Sequence, residues 1–133
     1  MKTVHTGVVL GFCYFFAAIA LVTGTLALTL GLGLVPDLQV IEASSDNEFR
    51  FFSAFWLGYG GLCFWVARDL SARRGFIPAL ALVMFPGGVG RALSYALVGE
   101  PTPTYVIGCV VELVIPPLWL YSYGRLSPAA DSW

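Results

Sequence analysis

The chain has 133 residues, of which 58% are hydrophobic and 11% charged, and its formal net charge is −1. A soluble domain is usually about 45–50% apolar and about 25% charged. The composition, with a mean hydropathy of +0.81, therefore predicts a protein solvated by lipid rather than water. A charge so close to zero offers nothing to a phosphate backbone, so we expect no nucleic-acid partner.

Four apolar stretches are long enough to cross a bilayer. A span needs about 20 apolar residues, and it must be helical because hydrocarbon leaves no other partner for the backbone amides. The stretches cover residues 6–35, 49–67, 76–98 and 104–123. The first is longer than the apolar core of a signal peptide, so we expect it to be retained. The sequence predicts an all-α integral membrane protein, one domain over residues 1–133 forming a four-transmembrane-helix antiparallel bundle.

The charged residues between the stretches predict the orientation. With four spans, one side of the membrane carries Lys2, Arg68, Arg73, Arg74 and Arg125. The other carries Asp37, Glu42, Asp46, Glu48 and Glu100, with Arg50 as its basic residue. Cytoplasmic loops are enriched in Lys and Arg. Both termini are therefore expected in the cytoplasm.

Two opposite charges interrupt the third and fourth stretches. Arg91 lies roughly 10 Å before the outer end of the third, and Glu112 roughly 12 Å after the outer start of the fourth, at 1.5 Å per residue. A charge at the bilayer centre costs about 2.5–3.5 kcal/mol on insertion scales, and pairing lowers that cost. The matching depths predict a buried Arg91–Glu112 pair. Ser94 and Tyr95 follow Arg91 by three and four residues, so they share its face and complete a predicted polar pocket in the outer half.

Prolines and small residues shape the same stretches. Pro116 and Pro117 free the carbonyls of Glu112 and Leu113, and the run from Pro86 to Gly88 loosens the third stretch before Arg91. Small residues four apart favour close helix packing in lipid. Such pairs are Gly7/Gly11, Ala20/Gly24, Ala54/Gly58 and Gly90/Ser94.

The start of the second stretch is also polar. Ser45 and Glu48 have the spacing of a capping box, which predicts a helix start there. Arg50 follows within reach of Asp46, a lipid headgroup or the pocket. Tyr59 lies three turns after Glu48 on the same face, and the sequence leaves open whether that face points inward.

Cofactor and catalytic signatures are missing from the sequence. Cys13, Cys63 and Cys109 lack metal-ligand spacing, so they are interpreted as packing residues. His5 is the single histidine, which excludes a bis-histidine haem and favours an interfacial imidazole. No phosphate-binding loop, HExxH or GxSxG motif occurs in a supporting context. We expect no metal, no cofactor and no catalytic group.

Several polar motifs together resemble a known family. They are Asn47-Glu48-x-Arg50, Trp56-Leu57-Gly58, Gly90-Arg91-x-x-Ser94, Gly99-x-Pro101 and Glu112-Leu113-x-x-Pro116-Pro117. The chain resembles the domain-of-unknown-function 4345 family of small bacterial membrane proteins. The resemblance implies four helices in the bacterial inner (cytoplasmic) membrane, and it highlights Glu48, Arg50, Arg91 and Glu112 without assigning a reaction. Asn47, from the same motif as Glu48, is a further candidate for the polar cluster.

Three classes of function fit these residues. The first is a non-catalytic protein: an accessory subunit of a larger membrane complex or homo-oligomer, or a binder of a lipid or small apolar ligand. The second is proton- or ion-coupled transport through Glu112. The third is an enzyme acting on a lipophilic substrate, with Glu112 as acid or base and Tyr95 as donor. We favour the first, because the two buried charges neutralise each other.

Overall fold

The computed structural model describes residues 2–35, 38 and 40–126, and these residues are helical apart from short connections. The helices are α1 (Lys2–Leu30), η1 (Gly31–Leu34), α2 (Ala43–Arg68), α3 (Leu70–Arg73), η2 (Arg74–Phe76), α4 (Ile77–Val98) and α5 (Pro103–Gly124). The predicted all-α class is confirmed. The helices α4 and α5 run without interruption through Pro86, Pro116 and Pro117.

Among the residues that the structure describes, three helical segments are long and apolar enough to cross a membrane. They are Val4–Leu34, Leu70–Val98 and Pro103–Gly124, and their length and composition indicate a membrane protein. The helix α2 has the length of a span, but Trp, Tyr and Gly residues and its terminal charges lower its hydropathy. The fourth span and the orientation of the termini therefore stay predictions.

The described residues fall into two compact units. Unit 1 contains residues 2–12 and 69–126, and unit 2 contains Cys13–Arg68. In unit 2, α1 and α2 run antiparallel and meet at glycines. A Cβ on Gly24 would lie 3.1 Å from the backbone nitrogen of Leu57, and one on Gly60 would lie 2.9 Å from the Cβ of Ala20. Of the predicted small-residue pairs, Ala20/Gly24 lies at this contact.

An arginine ties the end of α1 to the start of α2 within unit 2. Arg50 donates through Nη1 to the carbonyls of Leu28 (2.7 Å) and Thr29 (3.0 Å) and through Nε to Asp46 Oδ2 (2.7 Å). The other oxygen of Asp46 accepts from the backbone of Leu32 at 2.7 Å. The last carbonyls of a helix lack intrahelical partners and carry partial negative charge. Arg50 therefore caps α1, and we call this set of contacts the Arg50 clasp.

Gly31 is the glycine that the Arg50 clasp requires. Its φ is +61°, and an added Cβ would overlap both Asp46 and Arg50. We expect Gly31→Ala to lower the free energy of unfolding by about 2 kcal/mol, from left-handed backbone strain and the displaced clasp. Gly33→Ala is the matched control, since nothing lies within 4 Å of a Cβ there. Equal stability of the two variants in SDS unfolding would contradict the importance of the clasp.

The predicted capping box at Ser45 and Glu48 is wrong. The helix α2 begins at Ala43, and the preceding Glu42 accepts from the amide of Ser45 (2.9 Å), the amide of Ser44 (3.1 Å) and the hydroxyl of Ser45 (2.9 Å). The carboxylate of Glu42, outside the helix, accepts from two free amides of the first turn. Ser45 therefore donates to this carboxylate and does not act as the N-cap residue.

These hydrogen bonds lower the pKa of Glu42 from 4.5 to about 2, the backbone amide of Ser45 contributing most. Because the folded pKa is depressed, the stabilisation is present above about pH 4.5 and is lost as the pH falls through about 2. We expect Glu42→Gln to speed amide exchange in a peptide covering residues 42–50 at pH 7, whereas Glu48→Gln leaves it unchanged. Unchanged exchange in Glu42→Gln would show that the cap contributes nothing.

Candidate functional site

The site in unit 1 begins where α4 and α5 cross. Gly88 is buried there, and an added Cβ would lie 2.9 Å from Leu113 Cγ and 3.0 Å from the backbone carbon of Glu112. The thiol of Cys109 donates to the carbonyl of Gly88 at 3.4 Å. The missing side chain of Gly88 therefore lets the two antiparallel helices approach closely.

The crossing brings Arg91 and Glu112 together. Arg91 Nε donates to Glu112 Oε2 at 2.9 Å. The same carboxylate oxygen lies 3.3 Å from where a Cβ of Gly87 would be, so that glycine leaves room for it. The side chain of Glu112 is 10% exposed and that of Arg91 is 41% exposed. The carboxylate is thus buried between the helices, while the guanidinium extends outward from it.

Arg91 extends into an open cleft of about 450 Å³ between the last turns of α4 and the first turns of α5. Its Cζ lies 5.6 Å from the ring centroid of Tyr105. Within the part of the chain that the structure describes, neither Nη atom forms a hydrogen bond. Ser94 and Tyr95 line this cleft together with Arg91. The guanidinium therefore has a free donor edge facing mostly apolar walls.

The sequence reasoning missed the wall that α5 contributes to the cleft. That wall consists of Tyr105, Val106, Cys109 and Val110, with Pro101 from the preceding connection. Tyr105 precedes Glu112 by two helical turns, which places both residues on one face of α5. The spacing of two helical turns from Glu112 was the sequence signal that could have identified Tyr105 as a residue of the site.

The other predicted site residues belong to unit 2, whereas every residue lining the cleft belongs to unit 1. Asn47 and Glu48 are exposed in the first turns of α2. Tyr59 is half-buried and stacks on Trp56 with ring centroids 5.5 Å apart. Arg50 is held in the Arg50 clasp. Of the three partners that the sequence allowed, Asp46 is the one that Arg50 contacts. All four of these predicted site residues lie on α2.

Residues 2–35, 38 and 40–126 contain no group of three or more His, Cys, Asp or Glu side chains able to hold a metal ion. The imidazole of His5 packs edge-on against Tyr121, with ring centroids 6.1 Å apart. Cys13 and Cys63 are buried and Cys109 is half-buried. The cleft is lined by one guanidinium, three hydroxyl groups, the thiol of Cys109 and apolar side chains.

The helices and this cleft define a small helical membrane protein with a polar group held between two of its helices. The family described as "Domain of unknown function (DUF4345)" matches residues 8–123, so the chain belongs to that family, as its motifs predicted. No curated protein and no solved structure matches the chain.

Proposed function

We propose that the chain is a four-span protein of the bacterial cytoplasmic membrane with both termini inside. Residues 51–67 of α2 carry no charged side chain and extend roughly 25 Å at 1.5 Å per residue, close to the thickness of the hydrocarbon core. The acidic residues before α2 and the arginines after it support the orientation. The helix α2 is the fourth span in this proposal.

Cysteine accessibility tests this topology. In a chain lacking the three native cysteines, Ser44→Cys in the first turn of α2 and Ser71→Cys after α2 each supply one thiol. We expect a membrane-impermeant maleimide added to intact cells to label Ser44→Cys only, and to label Ser71→Cys after the inner membrane is opened. Labelling of both positions from the same side would contradict the fourth span.

We further propose that the protein is non-catalytic and binds a lipid or small apolar ligand in the cleft beside Arg91. The observation that carries the proposal is the free Nη edge of a guanidinium in an apolar-walled cleft of about 450 Å³. Ligand sites typically have volumes of about 300–1,000 Å³ and combine apolar walls with a few placed polar groups. A hydrogen-bonding head group on Arg91 and an apolar body along α5 fit this lining.

The competing roles use Glu112 or a protein partner. Transport and catalysis both need the carboxylate to meet a proton or substrate, but Glu112 is 8% exposed and already binds Arg91. Docking as an accessory subunit would fill the cleft with a protein side chain instead of a small molecule. We therefore favour ligand binding, with Arg91 as the contact residue.

Site-specific photo-crosslinking tests the proposal. A benzophenone amino acid at Val110 lies in the cleft, whereas the same group at Val114 lies one turn further along α5, is similarly exposed and is outside the cleft. In cell membranes we expect Val110 to capture a lipid-sized adduct that Val114 does not. The double variant Arg91→Leu/Glu112→Leu should lose this adduct, and Arg125→Leu should keep it. Equal lipid adducts at both positions, or protein adducts at Val110, would overturn ligand binding in the cleft.

A further inference from the structure

We propose that the ligand of the cleft is electrically neutral and presents a hydrogen-bond acceptor oxygen, such as an ester, ketone or quinone carbonyl, to Arg91. This inference rests on the proposed ligand binding and names the chemical class of ligand. It follows from the charge of the site and from the atoms of Arg91 that remain free.

Among the described residues, this end of unit 1 has no excess positive charge. The positive charge of Arg91 is paired with Glu112 at 2.9 Å. The exposed carboxylate of Glu100 adjoins Pro101, which lines the cleft. The described charges that flank α4 and α5 on the other side, Asp69, Arg73, Arg74 and Arg125, lie at the opposite ends of these two helices. An anionic head group would thus bring a second negative charge to a guanidinium that is already neutralised, in surroundings that penalise unpaired charge.

The free hydrogen-bonding groups match a neutral acceptor. The Nε of Arg91 is engaged by Glu112. Among the described residues, the two Nη groups have no acceptor of their own and stay available as donors. Ser94, Tyr95 and Tyr105 add hydroxyl groups, which carry no charge and adapt as donors or acceptors. One carbonyl oxygen satisfies the guanidinium edge without disturbing its contact with the carboxylate.

Glu112 then acts as a positioning residue that also sets selectivity. It holds the guanidinium by one edge, so the other edge faces the cleft, and it cancels the charge that would attract an anion. Glu112→Gln keeps a hydrogen-bond acceptor for Nε and leaves the positive charge of Arg91 unbalanced. The structure therefore predicts that this single change converts a neutral-selective cleft into an anion-selective one.

Competition between two lipids with identical acyl chains measures this selectivity. The full chain in phosphatidylcholine nanodiscs is offered equal amounts of dioleoylglycerol and dioleoyl phosphatidate, and the bound ratio is read by native mass spectrometry. We expect the unmodified chain to favour the neutral lipid by about tenfold or more. We expect Glu112→Gln to favour the anionic lipid. This change in preference is consistent with the cost of one unpaired intramembrane charge. Glu48→Gln, which removes an exposed carboxylate from α2, should keep the original preference. Squalane, a hydrocarbon without an acceptor oxygen, should not compete.

The outcomes separate this inference from the proposed function. Binding of neither lipid by the unmodified chain would overturn the proposed function itself. Binding of both with a preference for phosphatidate, or effective competition by squalane, would overturn the neutral acceptor while leaving ligand binding intact. If Glu112→Gln does not fold, Arg91→Gln/Glu112→Gln provides a neutral pair. It should bind more weakly and still favour the neutral lipid, and a preference of this variant for phosphatidate would contradict the inference.

Discussion

Arg91→Leu is expected to lower the free energy of unfolding by up to about 3 kcal/mol, because it leaves Glu112 buried between α4 and α5 without its cation. The side chain of Glu112 is 10% exposed, and its carboxylate accepts a hydrogen bond from Arg91. SDS unfolding of the protein in mixed micelles, followed by circular dichroism, measures the loss.

The double variant identifies the source of that loss. Arg91→Leu/Glu112→Leu replaces both charges by apolar side chains, which is often neutral or stabilising for a buried pair. We expect it to recover most of the stability that Arg91→Leu loses, whereas Arg125→Leu, directly after the last turn of α5, should change little. A double variant no more stable than the single one would show that the pair does not hold the helices together. Recovered folding with lost lipid adduct would separate the structural from the binding role of the pair.

Gly88→Val is expected to have the second large effect, a loss of about 3 kcal/mol from overpacking at the crossing of α4 and α5. A Cβ at Gly88 already lies 2.9 Å from Leu113 Cγ and 3.0 Å from the backbone of Glu112. Backbone atoms cannot move aside like the end of a flexible side chain, so the helices must separate. That separation should also lengthen the contact between Arg91 and Glu112.

Gly90→Val is the matched control for this effect. It makes the same substitution two residues along α4, where nothing lies within 4 Å of an added Cβ. We expect Gly90→Val to unfold within about 0.5 kcal/mol of the unmodified protein, as surface substitutions usually do. Similar losses in the two variants would mean that valine weakens α4 generally and that the close crossing is not the cause.

The sequence predicted the bounds of the helices well where apolar runs end at strong signals. The predicted ranges 76–98 and 104–123 agree closely with α4 (Ile77–Val98) and α5 (Pro103–Gly124), since Gly99 and Pro101 mark the connection between them. The first span differs at its end, where α1 stops at Leu30 and continues as the η1 turn. The helix α2 begins at Ala43 rather than at residue 49, because polar residues extend a helix beyond its apolar part.

Tertiary contacts were less predictable than the helices. Matching depth on consecutive helices was enough to place Arg91 opposite Glu112, because consecutive antiparallel helices leave few alternatives. The sequence did not distinguish Gly88, which lies at the close crossing, from Gly90, where nothing lies within 4 Å of an added Cβ. A spacing of four residues does not say which face of a helix meets its neighbour. The Arg50 clasp was missed in part because it depends on the positive φ of Gly31, a backbone property that glycine permits and does not require.

The contact between Arg91 and Glu112 in a bilayer is the central claim, and solid-state NMR measures it directly. With ¹⁵N in the arginine side chains and ¹³C in the glutamate carboxyls, rotational-echo double resonance reports the distance from the guanidinium nitrogen to the carboxyl carbon. We expect a coupling that corresponds to about 4 Å or less, consistent with one hydrogen bond, and its disappearance in Glu112→Gln. A spectrum without that coupling in the unmodified protein, or one that Glu112→Gln leaves unchanged, would contradict the paired site.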